Sequence, residues 1–317
     1  MSWVRQAKQI GQPWEECVDG YPASVQELLD QYGAVLIRGL HHPSPTRFEN
    51  FIGGVLGDPM AYVDRTTPRR VIEGKVYSST ETPKYFDIAL HSESTFAHTW
   101  PRWVCFLCVT PARSKGRTPI ADVQKVYTRL PFSLRERFEE TGILYLRNFC
   151  EGPGMNWQTA FQVSSKDELE AKCRQEDIAW EWRGMNHLRT WQRRPSMVWH
   201  PLSGIPAWFN QASALHVSAL PQPLRDVLVR QLGDHDLPHQ TFYGNREPIE
   251  QETIETIRQA FAEETLRFSW KIGDLLILDN LVFAHGREPF EGPRKTLACL
   301  AGPTSWADVK HSRVALG

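Results

Sequence analysis

Apolar positions along the chain follow two spacings. Val25, Leu28, Leu29 and Tyr32 follow Ser24 at steps of three and four, the stripe of a serine-capped amphipathic helix, and Gly33 then releases the chain into a short β-branched strand at 34–37. Residues 45–56 predict a second helix. From Ile88 onward strand patterns dominate, at 89–93, 103–109, 143–149, 207–210, 265–270, 275–278 and 296–300. Helical spacing returns between them at 123–130, 133–141, 166–174, 224–232 and 250–262. Short strands far apart in sequence, with helices among them, predict a mainly β, α+β fold: an antiparallel barrel or jelly roll with inserted helices. No internal repeat and no linker-like block interrupts the chain, so a single domain spanning 1–317 is expected.

Lys271-Ile-Gly-Asp274 reads as a turn feeding the buried strand 275–278, because Gly273 can adopt a positive φ. That strand ends at the turn signal Asp279-Asn280. His285 follows shortly after, which places its imidazole just beyond a buried strand, on the rim of a barrel.

Charge and composition narrow the classes. Lys and Arg number 36 against 37 Asp and Glu, for a formal charge of -1. Such a balance gives no broad attraction to phosphate backbones or anionic lipid, so neither nucleic acid nor a membrane is an expected partner. The longest apolar run, 103–109, is too short to cross a bilayer, and the first ten residues lack the apolar stretch of a signal peptide, so a cytoplasmic protein is expected. The six cysteines are scattered. Cys105-x-x-Cys108 lies in the apolar run WVCFLCV and reads as two buried strand thiols rather than a zinc knuckle. Serine-hydrolase, P-loop and zincin signatures are missing, and Gly152-Pro-Gly154 lacks the third glycine of a dinucleotide turn.

One pattern carries chemistry. On a strand, residues two apart share a face, so His91 and Glu93 can direct an imidazole and a carboxylate at one point. One His-x-acid pair is about what chance supplies for eleven histidines in this composition, so the pair alone means little. Its company raises it: His285 near a strand end, and Arg294 before a strand that returns. Two histidines and one carboxylate on one face leave three positions open, the facial triad of non-haem Fe(II) oxygenases.

The stretches LHSESTFAHTWPRWVCFLCVTPARSKGRTPIADVQKVYTRLP, LRNFCEGPGMNWQTAFQ, PLSGIPAWFNQASALH, YGNREPIE and WKIGDLLILDNLVFAHGREPFEGPRKTL resemble the taurine dioxygenase-like (TauD/TfdA) family, and within it the syringomycin-biosynthesis (SyrP-like) aspartyl hydroxylase-like branch. The resemblance runs from about 34 to 301. It implies a double-stranded β-helix (jelly roll) core, Fe(II), and 2-oxoglutarate and O2 as co-substrates. The implied iron ligands are His91, Glu93 and His285. The implied partners of the distal 2-oxoglutarate carboxylate are Arg294, whose planar fork suits bidentate binding, and Thr118, in a loop that keeps one glycine of the usual two. Ser92 stands where many members have Asn. Family halogenases replace the carboxylate ligand by a small residue, so Glu93 argues against halogenation. Taurine-type members place a second arginine four residues after the first; here that position is Ala298. A free anionic group on the substrate thus loses its usual clamp, and the resemblance implies instead an amino acid, oxidised at the β-carbon, tethered to an acidic peptidyl carrier protein during non-ribosomal peptide or siderophore synthesis.

Desaturation, cyclisation or epoxidation by the same cofactor chemistry stays open, as does a non-catalytic metal-binding module. Asn148, Trp157, Gln158, Asn210 and Gln211 are candidates for the substrate pocket, and Arg147 and Arg189 for a substrate carboxylate if the amino acid is aspartate. His98, His200 and His216 read as core or pocket histidines. Arg65, Arg69 and Arg70 lie in a Pro-containing stretch that reads as a solvated loop or a contact for the carrier protein.

Overall fold

The computed structural model describes residues 4–6, 22–64, 66, 69–79, 82–150, 155–233 and 236–312. Its main sheet runs in the order Val4–Gln6, Ala34–Arg38, Leu275–Asp279, Thr99–Thr110, Lys295–Ser305, Val76–Ser78, Val71–Glu73, with Pro59–Met60 also pairing on Lys295–Ser305. Every pairing is antiparallel except that of the first two strands. A smaller antiparallel sheet orders Thr265–Leu266, Ile120–Asp122, Phe283–Arg287 and Ile88–His91, and a third orders Ala179–Trp182, Leu188–Arg194, Ile143–Phe149 and His239–Tyr243.

The apolar run at 275–278 is explained by burial on both faces. Leu275 and Ile277 pack under the Pro22–Tyr32 and Pro45–Leu56 helices with Val25, Leu29, Phe48, Phe51 and Ile52. Leu276 and Leu278 join Val104, Phe106, Ile120, Phe283, Ala298 and Leu300, residues of the main and smaller sheets. Cys105 and Cys108 are free buried thiols that fall into these two different clusters, so the C-x-x-C does not act as a pair. The Pro45–Leu56 helix begins where Ser44 accepts the Arg47 N–H at 3.3 Å and ends at Gly57, which is at φ 81°. Gly273 sits at φ 76° with Leu40 O so close that a Cβ would lie 2.1 Å from it, which holds the turn feeding Leu275–Asp279 against the end of Ala34–Arg38.

Several expected boundaries shift. The first helix starts at Pro22, two residues before Ser24. The strand expected at 89–93 is Ile88–His91, so Glu93 leaves the sheet in a turn whose Ser94 has φ 57°. His285 lies past the end of Leu275–Asp279, as expected, but inside the next strand, Phe283–Arg287, and not in a loop. The strands expected at 207–210 and 265–270 shrink to Pro206–Ala207 and Thr265–Leu266. Among the described residues no helix is long and apolar enough to cross a membrane.

Candidate metal centre

His285 pairs in register with His91 across the smaller sheet, which brings their imidazole centroids to 4.5 Å. Gly286 makes this approach possible: a Cβ there would lie 2.6 Å from Ile88 O. Glu93 completes the group, and one ligand atom from each of the three lies within 4.8 Å of the others. His91 Nδ1 sits 2.8 Å from the Ala89 carbonyl, which leaves its Nε2 for a metal, the arrangement that fixes a ligand imidazole. His285 packs against Phe106 with centroids 4.9 Å apart, and its buried Nδ1 has no partner among the described residues.

The turn that carries Glu93 is held by Asn280. Its Oδ1 accepts the Glu93 N–H at 2.7 Å, and its Nδ2 donates to the Glu93 and Pro101 carbonyls at 3.0 and 2.9 Å. Asn280 is fully buried. Asn280→Ala leaves one amide and two carbonyls without this partner at about 1–3 kcal/mol each where they stay dry. A loss of about 2–4 kcal/mol is expected, read by calorimetry as a melting temperature lower by roughly 3–6 °C. An unchanged melting temperature would remove the clamp.

The Glu93 carboxylate has two partners besides the histidines. Tyr62 Oη donates to Oε1 at 2.9 Å, and Arg69 Nη2 donates to Oε2 at 3.0 Å. Burial opposes ionisation of Glu93, but Arg69 and the two imidazoles outweigh it and hold the carboxyl well below the usual range. Burial and the neighbouring His285 push His91 down to about 4, favouring the neutral ring that a metal needs. A carboxylate held below its usual range and two imidazoles, one of them favoured neutral by burial, make a donor set that fits a divalent first-row metal.

Arg294 and Thr118 line the same cavity, of about 210 Å³, as His91, Glu93 and His285. Among the described residues the Arg294 guanidinium meets one acceptor, the Gly116 carbonyl at 3.4 Å from Nε, and the face of Phe290. Burial, with Arg287 nearby, pushes its pKa down to about 10, the mark of a cation short of an anion. Thr118 Oγ1 accepts from Trp270 Nε1 at 3.0 Å, which leaves its own hydroxyl proton to give.

The other pocket candidates separate. Asn148, Trp157, Arg189 and Asn210 do not line this cavity. Arg189 Nε donates to Asn148 Oδ1 at 2.8 Å and its guanidinium pairs with Asp236, while Asn148 Nδ2 donates to the Leu237 carbonyl. Trp157 is buried edge-on against Trp182 in a satellite cluster, and neighbouring Gln158 is exposed. Asn210 ties Ser196 O to the Ala212 N–H. Arg147 is buried beside the rings of Phe96, Phe149 and Phe161. Gln211 does line the cavity, and its Nε2 donates to Ser92 O, between the two N-terminal ligands, at 2.7 Å.

His200 is spent on Asp279, Arg102 and the Ser203 N–H, and His216 caps the short helix Val217–Ala219. His98 does not line the cavity. Arg69 corrects the reading of its stretch as a solvated loop, because the pairing with Glu93 buries it; Arg70 is exposed, and Arg65 lies outside the described residues. Sequence reading missed Tyr62 and Asn280. For Asn280 the only signal was a turn, and for Tyr62 there was none.

The chain matches the model of the taurine catabolism dioxygenase TauD, TfdA family over residues 12–300. It is 37% identical over 279 residues to the dapdiamide synthesis protein DdaC of Enterobacter agglomerans, covering 88% of this chain and 85% of that protein. Among solved structures, asparagine oxygenase in complex with Fe(II), 2S,3S-3-hydroxyasparagine and succinate is similar with a TM-score of 0.54 at 14% identity, covering 91% of this chain and 82% of that one. PvcB, an Fe, α-ketoglutarate dependent oxygenase from an isonitrile synthetic pathway, is similar with a TM-score of 0.52 at 13% identity, covering 98% and 88%. Those two likenesses speak for the fold. The family match over most of the length, the relative at 37% identity and the His-Glu-His cluster agree, and the chain belongs to the TauD, TfdA family as a non-haem Fe(II)- and 2-oxoglutarate-dependent dioxygenase.

Proposed function

We propose that the protein hydroxylates the β-carbon of an amino-acid unit whose carboxyl is masked as a thioester on an acidic peptidyl carrier protein, in the assembly of a non-ribosomal peptide or siderophore. In this reading His91, Glu93 and His285 hold Fe(II), Arg294 and Thr118 hold the distal carboxylate of 2-oxoglutarate, and the main sheet and the smaller sheet that carries the two histidines are the walls of a jelly roll. The observation that carries it is that all five side chains line one cavity.

Fe(II), 2-oxoglutarate and O2 together supply the oxidant that takes hydrogen from an unactivated carbon and returns oxygen to it, with succinate and CO2 as co-products. The chain's part is positioning. Arg294 fixes the far end of the co-substrate, Phe106 packs the His285 ring, and Ala214, Leu215, Ala219 and Leu220 give the cavity an apolar wall.

Cation commitments support a masked carboxyl. Arg69 is bonded to Glu93, and Arg287 donates to the Thr82, Pro83 and Phe86 carbonyls. With Arg294 given to 2-oxoglutarate, every arginine that lines the cavity among the described residues is occupied, and Ala298 is buried in the core between the sheets. An uncharged thioester needs no such partner. The 3-hydroxyasparagine held by asparagine oxygenase is a β-hydroxylated amino acid, and DdaC is by name a dapdiamide synthesis protein; both support a reading in amino-acid-derived synthesis.

The test is oxygen-dependent succinate formation with a panel of amino acids presented free and as carrier-bound thioesters. Turnover with one added oxygen on a carrier-bound residue is expected. Turnover of free amino acids with inert thioesters would remove the tether, and a desaturated or epoxidised product would replace hydroxylation.

A further inference from the structure

The carboxylate ligand in this cavity is a glutamate, one methylene longer than aspartate and free to present either one oxygen or two to a metal. The difference matters for a facial triad. Three protein ligands leave three positions of an octahedral metal, two for the keto acid of 2-oxoglutarate and one for O2. A carboxylate bound through both oxygens takes a fourth, and a co-substrate loses its place.

The surroundings of Glu93 keep its two oxygens distinct. Oε2 faces the histidines, 3.6 Å from His285 Nε2, and also accepts from Arg69 Nη2 at 3.0 Å. Oε1 accepts from the Tyr62 hydroxyl at 2.9 Å. Tyr62 is itself fixed at both ends of its peptide unit: its N–H donates to Tyr77 Oη at 3.1 Å and its carbonyl accepts from Gln162 Nε2 at 3.1 Å. The Arg69 guanidinium lies over the Tyr62 ring at 4.3 Å, so the two donors brace each other. Tyr62, Tyr77, Arg69 and Glu93 are all buried, and hydrogen bonds to a carboxylate are strong in such a setting.

We infer that Tyr62 and Arg69 are positioning residues that confine Glu93 to a single coordination position, Tyr62 by engaging Oε1 and Arg69 by fixing the angle at which Oε2 reaches the metal. This rests on the assignment of Glu93 as a ligand. Both donate directly to the Glu93 carboxylate, and their effect on the metal is expected to pass through it. The length of the glutamate is what makes the clamp necessary.

Water-proton relaxation with Mn(II) bound in place of Fe(II) tests this, because it counts exchangeable waters on the metal without any turnover. The wild-type protein should hold about three waters, falling to about one when 2-oxoglutarate is added. Tyr62→Phe keeps the ring and its packing, and should hold about two waters alone and none with 2-oxoglutarate, while binding Mn(II) at least as tightly. Arg69→Lys should restore most of what Arg69→Met loses. A folded Tyr62→Phe protein with the wild-type water count overturns the inference. A wild-type protein that does not bind Mn(II), or a Glu93→Ala protein that binds it as well as wild type, overturns the ligand assignment beneath it and so is told apart from failure of the clamp alone.

Discussion

Glu93→Ala is expected to lose all 2-oxoglutarate-driven succinate formation and to bind Fe(II) more weakly by more than roughly 100-fold, the upper end for a group that merely supports a ligand. Two imidazoles 4.5 Å apart remain, without the anion that offsets the metal's charge. A second effect follows from burial. Arg69 is buried and loses its carboxylate, and breaking a buried pair from one side costs about 3–5 kcal/mol. The variant should therefore melt earlier as well as turn over nothing. The double variant Glu93→Ala, Arg69→Met removes the stranded cation and should regain much of the melting temperature with no recovery of iron binding. Anaerobic Fe(II) titration, succinate chromatography and calorimetry read these three quantities. Wild-type turnover in either variant would sink the iron assignment, and a double variant no more stable than the single would sink the account of Arg69.

How much of this was legible depends on the range over which each feature is determined. The Pro45–Leu56 helix was legible because its cap, its first-turn proline and its apolar spacing all lie within its own residues. Leu275–Asp279 was legible because both of its faces are apolar. Leu188–Arg194 was not, since its sequence LRTWQRR turns polar residues inward: Thr190, Gln192 and Arg194 are buried, and Arg194 is held by the Phe96 and Glu176 carbonyls. The expected strand at 207–210 failed for the converse reason. Trp208 and Phe209 are buried without joining a ladder, while the Asn210 side chain donates to the Ser196 carbonyl and accepts the Ala212 N–H, bonds that hold a turn.

The site divides along the same line. His91 and Glu93 are two residues apart, and their spacing was visible, although a turn rather than strand alternation delivers the carboxylate. The pairing of His285 with His91 is a register between distant strands; the sequence offered His285 as a histidine near a strand end, and the family resemblance then gave it a ligand role. Tyr62 and Asn280 reach Glu93 from 31 and 187 residues away, a distance over which no local pattern carries information. Arg69 shows the cost of reading a loop by composition: a basic, Pro-containing stretch suggested solvent, yet one of its arginines is among the most constrained side chains of the site.

Arg294→Ala is expected to raise the KM for 2-oxoglutarate by roughly 30-fold or more, with Fe(II) affinity nearly unchanged. The Arg294 guanidinium makes no contact with the His91, Glu93, His285 cluster, so the metal loses nothing when it is removed. The co-substrate loses a fork-shaped donor in a low-dielectric cavity. Truncating one side of such a pair costs about 2–5 kcal/mol, which at 1.4 kcal/mol per tenfold sets the lower bound on the rise. Arg294→Lys should recover only part, because an ammonium meets a carboxylate as a point charge and cannot span both oxygens. Stability moves in the opposite direction to affinity. Without 2-oxoglutarate, Arg294 is a cation whose pKa burial has already pushed down to about 10, so alanine removes a strained charge and should not lower the melting temperature. With Mn(II) and 2-oxoglutarate added, the wild-type protein gains stability by mass action and the variant, at the same concentration, gains little. A thermal-shift titration therefore reads the role of Arg294 without a substrate. Equal shifts in the two proteins would take 2-oxoglutarate away from Arg294 and leave that guanidinium for an anion on the substrate, which would in turn reopen a free amino acid as the substrate.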